Sequence, residues 1–173
     1  MAIEIKKLYN GNVYLDGISH FGTFEEVTLP EIKTVDAEHK ALGMIGKMEF
    51  PTGFDKMTCK IKWNGPVEDS IIQSADVYNG HDLCVFGSRE SWDAAGGKVS
   101  EDLFEAVLRV RPKGASGIGL KPMDDADLET EWAVSYYQLS IAGVELVCID
   151  VANSYYAVNG VDQLQQYREN LGI

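Results

Sequence analysis

Cysteine and histidine are scarce here, three of each in 173 residues, and neither set is spaced for chemistry. Cys59, Cys84 and Cys148 are odd in number and far apart, with no C-x-x-C pair. That rules against a disulfide framework or a cysteine zinc site and leaves small buried hydrophobes. His20, His39 and His81 lack the H-x-x-x-H or H-E-x-x-H spacing of a helical metal site, so each reads as a satisfied core or surface histidine. Long apolar runs are missing too. Nothing approaches the length of a membrane span, and "MAIEIKKLYNG" lacks the apolar centre of a signal peptide, so the expectation is a cytoplasmic product without stable membrane anchoring. Basic residues are outnumbered, 15 Lys and Arg against 27 Asp and Glu, for a net charge of −12. Tight DNA or RNA binding needs clustered cations that release counterions from phosphates, and this composition argues against it. A polyanion passing by without adhering is still compatible with it.

What is present is strand pattern. From Met57 to Trp63, Met57, Cys59, Ile61 and Trp63 alternate with polar neighbours, the period of a half-buried strand. Phe104, Ala106, Leu108 and Val110 alternate in the same way up to Arg111. A third run spans Asp127 to Ile141. Its apolar positions are Leu128, Trp132, Val134 and Tyr136, then Leu139 and Ile141, so the phase slips at Tyr136-Tyr137 and predicts a β-bulge there. The Gly- and Pro-rich "PKGASGIGLKPMDDA" joins the last two runs as the tip of a long hairpin. Shorter strands are expected around Val13–Leu15, Phe24–Leu29 and Val144–Ile149, with turns at Asn10-Gly11 and Asp16-Gly17. "NGPVEDSIIQSADVYNG" predicts a helix, with Pro66 near its first position, Glu68 and Asp69 in its first turn and Asn79-Gly80 as its stop. Val67, Ile71, Ala75 and Tyr78 would form its buried stripe. The fold class is mainly β: an antiparallel barrel or sandwich with one flanking α-helix, long hairpins and a short C-terminal helix. Residues 1–173 show no repeat or linker that would divide them.

A catalytic reading lacks its parts. "KGASGIGLK" has no G-K-[ST] and no helix after it, so it reads as a hairpin tip and not a phosphate cradle. Asp124, Asp125, Asp127, Glu129 and Glu131 crowd together without the central Gly of a calcium loop and read as a solvated acidic face. Pairing Asp82 with Cys84, or Ser88 with His81, leaves no third residue to orient them. No cofactor, metal or enzymatic activity is expected on these grounds.

Several short stretches, taken in order, resemble one family. They are "NVYLDGISHFG" (12–22), "VTLPEI" (27–32), "LGM" (42–44), "WNG" (63–65), "AVSYYQLSIAG" (133–143) and "AVNGVDQLQQYRENLGI" (157–173). Together they resemble the inner tube protein of contractile phage tails, the P2-like group shared with R-type bacteriocins. The resemblance implies a small β barrel with two long hairpins, the first near Glu31–Met48. Six subunits would form a ring in which the hairpins merge, and rings would stack into a tube inside a contractile sheath above a baseplate. The tube would be a conduit for DNA or another cargo, assembled in the bacterial cytoplasm as part of a virion tail or tail-like particle. A closing head-to-tail interface makes rings, and a non-closing one makes filaments. On that reading Val161, Leu164 and Leu171 are the apolar stripe of an intersubunit dock, with Asp162 capping the tail helix. The face opposite the core register would line the lumen: Glu105, Arg109, Arg111, Asp127, Glu129, Glu131 and Ser135. These carry four acids against two bases, a net −2 per subunit and −12 for six. The competing reading is a monomeric β-barrel module binding a ligand or carbohydrate, which calls for an apolar pocket or an exposed aromatic row. Trp63 and Trp132, on core registers, argue against the row.

Overall fold

The computed structural model describes residues 4–115, 117–119 and 127–173, and of Asp127 only the backbone. In chain order its elements are β1 (Glu4–Leu15), β2 (Ile18–Ser19), β3 (Phe24–Thr28), β4 (Thr34–His39), β5 (Met48–Phe54), β6 (Met57–Asn64), α1 (Glu68–Ala75), β7 (His81–Asp93), β8 (Lys98–Pro112), β9 (Ile118–Gly119), β10 (Asp127–Ile141), β11 (Val144–Asp150), β12 (Tyr155–Val158), β13 (Val161–Asp162) and α2 (Gln165–Leu171).

β10 is the hub of the main sheet. One edge pairs first with β6, from Asp127 opposite Asn64 to Val134 opposite Met57, and then with β11. The other edge pairs with β8, from Trp132 opposite Pro112 to Ile141 opposite Phe104, with β9 beside its first residues. Every pairing is antiparallel. β8 carries β7, β7 carries β1, and β1 carries β2; on the far side β3 flanks β6, and β12 and β13 follow β11. The link between β2 and β3 draws the two sides together: the His20 N–H donates to Val13 O at 2.8 Å, and the Asn64 N–H donates to Thr23 O at 2.9 Å. The result is an antiparallel barrel. The hairpin of β4 and β5 stands apart as its own two-stranded sheet.

The alternating runs fill the barrel as their period requires. Cys59, Ile61, Trp63, Ala106, Leu108, Leu128, Trp132 and Val134 are buried, with Phe104 packed at the edge of the cluster. The phase slip in β10 is a bulge: the β8 pairing skips Ser135, and Tyr137 is the next buried side chain. Thr130, polar on an inward register, is buried because it accepts both indole N–H groups, Trp63 Nε1 and Trp132 Nε1, each at 2.9 Å.

Four expectations need correction. Asn10-Gly11 is no turn but a bulge inside β1, where Asn10 takes a φ of 59°; Asn tolerates that left-handed region in a bulge as well as in a turn. Asp16-Gly17 is the turn that was expected, with φ values of 51° and 80°. α1 begins two residues after Pro66 and ends at Ala75, so Tyr78 lies beyond it and Ala75 and Tyr78 are exposed. Its buried residues are Ser70 and Ser74, whose hydroxyls donate to Val67 O and Ile71 O three residues back and so enter the core satisfied. The histidines are not all satisfied. His20 and His81 are buried edge-on against Trp63 and Trp132, each with a partnerless Nε2, and only His81 Nδ1 has a carboxylate, Asp16, at 2.6 Å. Finally, Cys59 and Cys148 are buried thiols as expected, but Cys84 is only half-buried, on the outward register of β7.

Candidate functional site

Because side chains alternate along a strand, the residues opposite the core register of β6, β8 and β10 share one outward face. Glu105, Arg109, Arg111, Glu129, Glu131 and Ser135 all lie on it; the side chain of Asp127 lies outside the described residues. The strand registers add residues that sequence reading left out. Lys60 and Lys62 of β6 stand opposite Glu131 and Glu129, and Lys113 follows β8. Lys60 Nζ lies 3.0 Å from Glu129, Lys113 Nζ 2.6 Å from Glu131, Lys62 Nζ 2.7 Å from Glu25, and Arg109 Nε 3.5 Å from Asp82. The Lys113 hydrogen bond holds the Glu131 carboxyl below its usual range, and the Glu129 bond raises the Lys60 ammonium. Arg111 donates to Val77 O at 3.1 Å, the Ser135 hydroxyl to Arg109 O and the Ser140 hydroxyl to Glu105. Each exposed pair adds little stability. What matters is that the acidic surplus counted from β8 and β10 alone becomes a lattice of opposite charges. The signal was legible in part, since the alternation of 57–63 already turned Lys60 and Lys62 outward; the pairing of β6 with β10 was not.

The hairpin is the second surface. It was expected near Glu31–Met48; its strands run from Thr34 to Phe54 around a tip at 40–47. Ala37 faces Phe50 and His39 faces Met48 across the strands, so Val35, Ala37, His39, Met48 and Phe50 form one side, and Asp36, Glu38 and Glu49 the other. Val35, Met48 and Phe50 are about half exposed (47%, 50% and 48%), and among the described residues nothing covers them fully. Its base is held by the Asp55 N–H to Lys33 O bond and by Phe54 packed on Tyr156 at 4.8 Å. A lone two-stranded hairpin with an uncovered apolar side is marginal in water.

The C-terminal tail is the third. β13 pairs with β12, and Asp162 Oδ1 accepts the Leu164 N–H at 2.9 Å just ahead of α2. Arg168 binds the Asp162 carboxylate, donates to Ser154 O at 3.1 Å and lies over the Tyr155 ring. That guanidinium bond keeps the Asp162 carboxyl below its ordinary value. Gly172, at φ 73°, closes the helix in the left-handed conformation that glycine permits. The tail is thus clamped to its own subunit, yet α2 buries no residue. Val161 and Leu171 are exposed, and Leu164 is half-buried against the base of the hairpin.

A family model described as phage tail tube protein FII matches residues 5–172. The chain is 32% identical over 171 residues to the tail tube protein of Escherichia phage P2, covering 97% of this chain and 98% of that one. It is 28% identical over 162 residues to the major tail tube protein of Serratia phage KSP20, covering 92% and 91%. Among solved structures it is similar to a chain of a contractile injection system sheath–tube complex in the extended state (TM-score 0.53, 13% identity, 76% of this chain and 88% of that one). It is also similar to a chain from the sheath and tube terminator of such a system (TM-score 0.54, 12% identity, 76% and 94%). At these identities the structural matches speak for the fold alone.

Proposed function

Because this chain belongs to the phage tail tube protein FII family, and is therefore a structural subunit of a tail tube, we propose that six copies close a ring and that rings stack into a tube inside a contractile sheath. The observation that carries this reading is the amphipathic hairpin of β4 and β5. Its apolar side, uncovered in one chain, finds cover on a neighbour, and pairing its free edges with another copy removes an aggregation hazard. The tail supplies a further contact, with Val161 and Leu171 presented outward by the Arg168 clamp and Leu164 behind them.

In the ring, the charged face of β6, β8 and β10 lines the lumen. Lys60, Lys62, Lys113 and Arg109 are paired with carboxylates of the same subunit, and Arg111 donates to the Val77 carbonyl, so DNA or another cargo meets few free cations along the wall and travels through without adhering. The role is mechanical, not catalytic, in a virion tail or tail-like particle assembled in the bacterial cytoplasm. Negative-stain imaging of concentrated protein, and of the assembled particle, tests it: stacked six-fold rings are expected. Monomers under every condition, with no rings in the particle, would overturn it.

A further inference from the structure

A groove of about 460 Å³ lies between the base of the hairpin and the C-terminal tail. Pro51, Phe54, Val151, Leu164 and Tyr167 give it apolar walls; among the described residues that line it, Asp150 alone is charged. At the far end of the same hairpin, Leu42 and Ile45 are fully exposed (107% and 109%). From His39 to Lys47 the tip carries Lys40 and Lys47 and no acid; Lys47 is paired with Glu38 of the adjoining strand at 2.5 Å, so the charge the tip offers a neighbour is that of Lys40. In a chain of net charge −12 this is a basic, apolar point, and the groove is an acidic, apolar slot. Tip and groove sit at opposite ends of the β4–β5 ladder, so the tip of a subunit does not reach its own groove.

We propose that the hairpin tip of one copy inserts Leu42 and Ile45 into the groove of the next, with Lys40 beside Asp150. This rests on the tube-subunit reading and specifies which surfaces meet. The contact is head-to-tail, the kind that propagates from copy to copy. It also gives the clamped tail a purpose: Arg168 fixes α2 so that Leu164 and Tyr167 form a preformed wall, which lowers the ordering cost of association.

The test is a disulfide across the contact. Ile45→Cys and Val151→Cys are placed in one chain in which Cys84, the half-buried native thiol, is Ser; each single variant is the control. Both sites are exposed, so folding is unaffected. On mild oxidation of assembled protein, the double variant should give a ladder of linked dimers and higher oligomers on a non-reducing gel, and the single variants should not. A second variant, Leu42→Asp with Ile45→Asp, should keep the parent's circular dichroism yet raise the concentration needed for assembly by roughly tenfold or more. Tubes that form without a ladder overturn this contact and leave the tube reading standing. A parent chain that never assembles overturns both.

Discussion

Thr130 Oγ1 is the atom on which both core tryptophans depend. A hydroxyl has two acceptor positions and one donor; here two indole N–H groups fill the first, and the Ile61 carbonyl, at 3.4 Å, receives the third bond. Thr130→Val keeps the shape and strands two buried donors, each worth about 1–3 kcal/mol. The expected loss is therefore about 2–6 kcal/mol, seen as a lower urea midpoint at an unchanged slope. Thr130→Ser, which keeps the oxygen, should lose clearly less; equal losses would mean that packing and not the hydrogen bonds sets the cost. His20 makes a second test. Burial against Trp63 lowers its pKa below the ordinary 6.5, partly offset by Asp69. The unfolded chain then binds a proton more readily than the folded one. Its contribution is constant above pH 6.5 and is lost progressively as pH falls below that value. His20→Gln should flatten the stability profile just below pH 6.5, and an unchanged profile would assign the slope to another group.

At the level of elements, the parts that sequence made legible are those with a regular hydrophobic period. β6, β8 and β10 were legible because each buries alternate apolar residues, and the bulge at Ser135 was legible because it interrupts that period. β7 was hidden: beyond Phe86 it runs Gly87, Ser88, Arg89, Glu90 and Ser91, polar on both sides, held by ladder bonds to β1 and β8 and not by a core. The stripe of α1 was half legible: Val67 and Ile71 pack against the core, but Ala75 and Tyr78 do not, and the fully buried residues are serines satisfied by their own helix, which no hydrophobicity pattern marks. The tail was legible through its Gly stop, but the Arg168 clamp depends on Ser154 and Tyr155, placed by the turn before β12. That clamp, together with the absence of any buried residue in α2, fixes what truncation should do. Removing residues 161–173 should leave the far-ultraviolet circular dichroism of the barrel essentially intact and abolish higher assemblies in sedimentation. Outright unfolding would place the tail in its own subunit's core.

At the scale of the whole molecule, a net charge of −12 opposes the approach of one subunit to another, so assembly must rest on local complementarity, and on the proposed lumen any transport would depend on what the wall presents. The outward face of β6, β8 and β10 carries Lys60, Lys113 and Arg109, cations enough to hold a phosphate backbone if they were free. Glu129, Glu131 and Asp82 occupy them. In a narrow tube each ring would repeat that pattern six times, and at low salt the charges act over the full bore, since the screening length is about 30 Å at 0.01 M and about 10 Å at 0.1 M. Glu129→Gln with Glu131→Gln should release Lys60 and Lys113, and Glu129→Lys with Glu131→Lys should add two further cations per subunit. Both substitutions are on exposed or half-exposed positions, and the pairs they break are surface pairs of small worth, so tubes should still form. Retention of DNA by washed tubes should then rise from the parent to the Gln variant to the Lys variant, and fall steeply as salt is added, as counterion release requires. Tubes of the Lys variant that hold no more DNA than the parent at low salt would mean that this face lies away from the lumen.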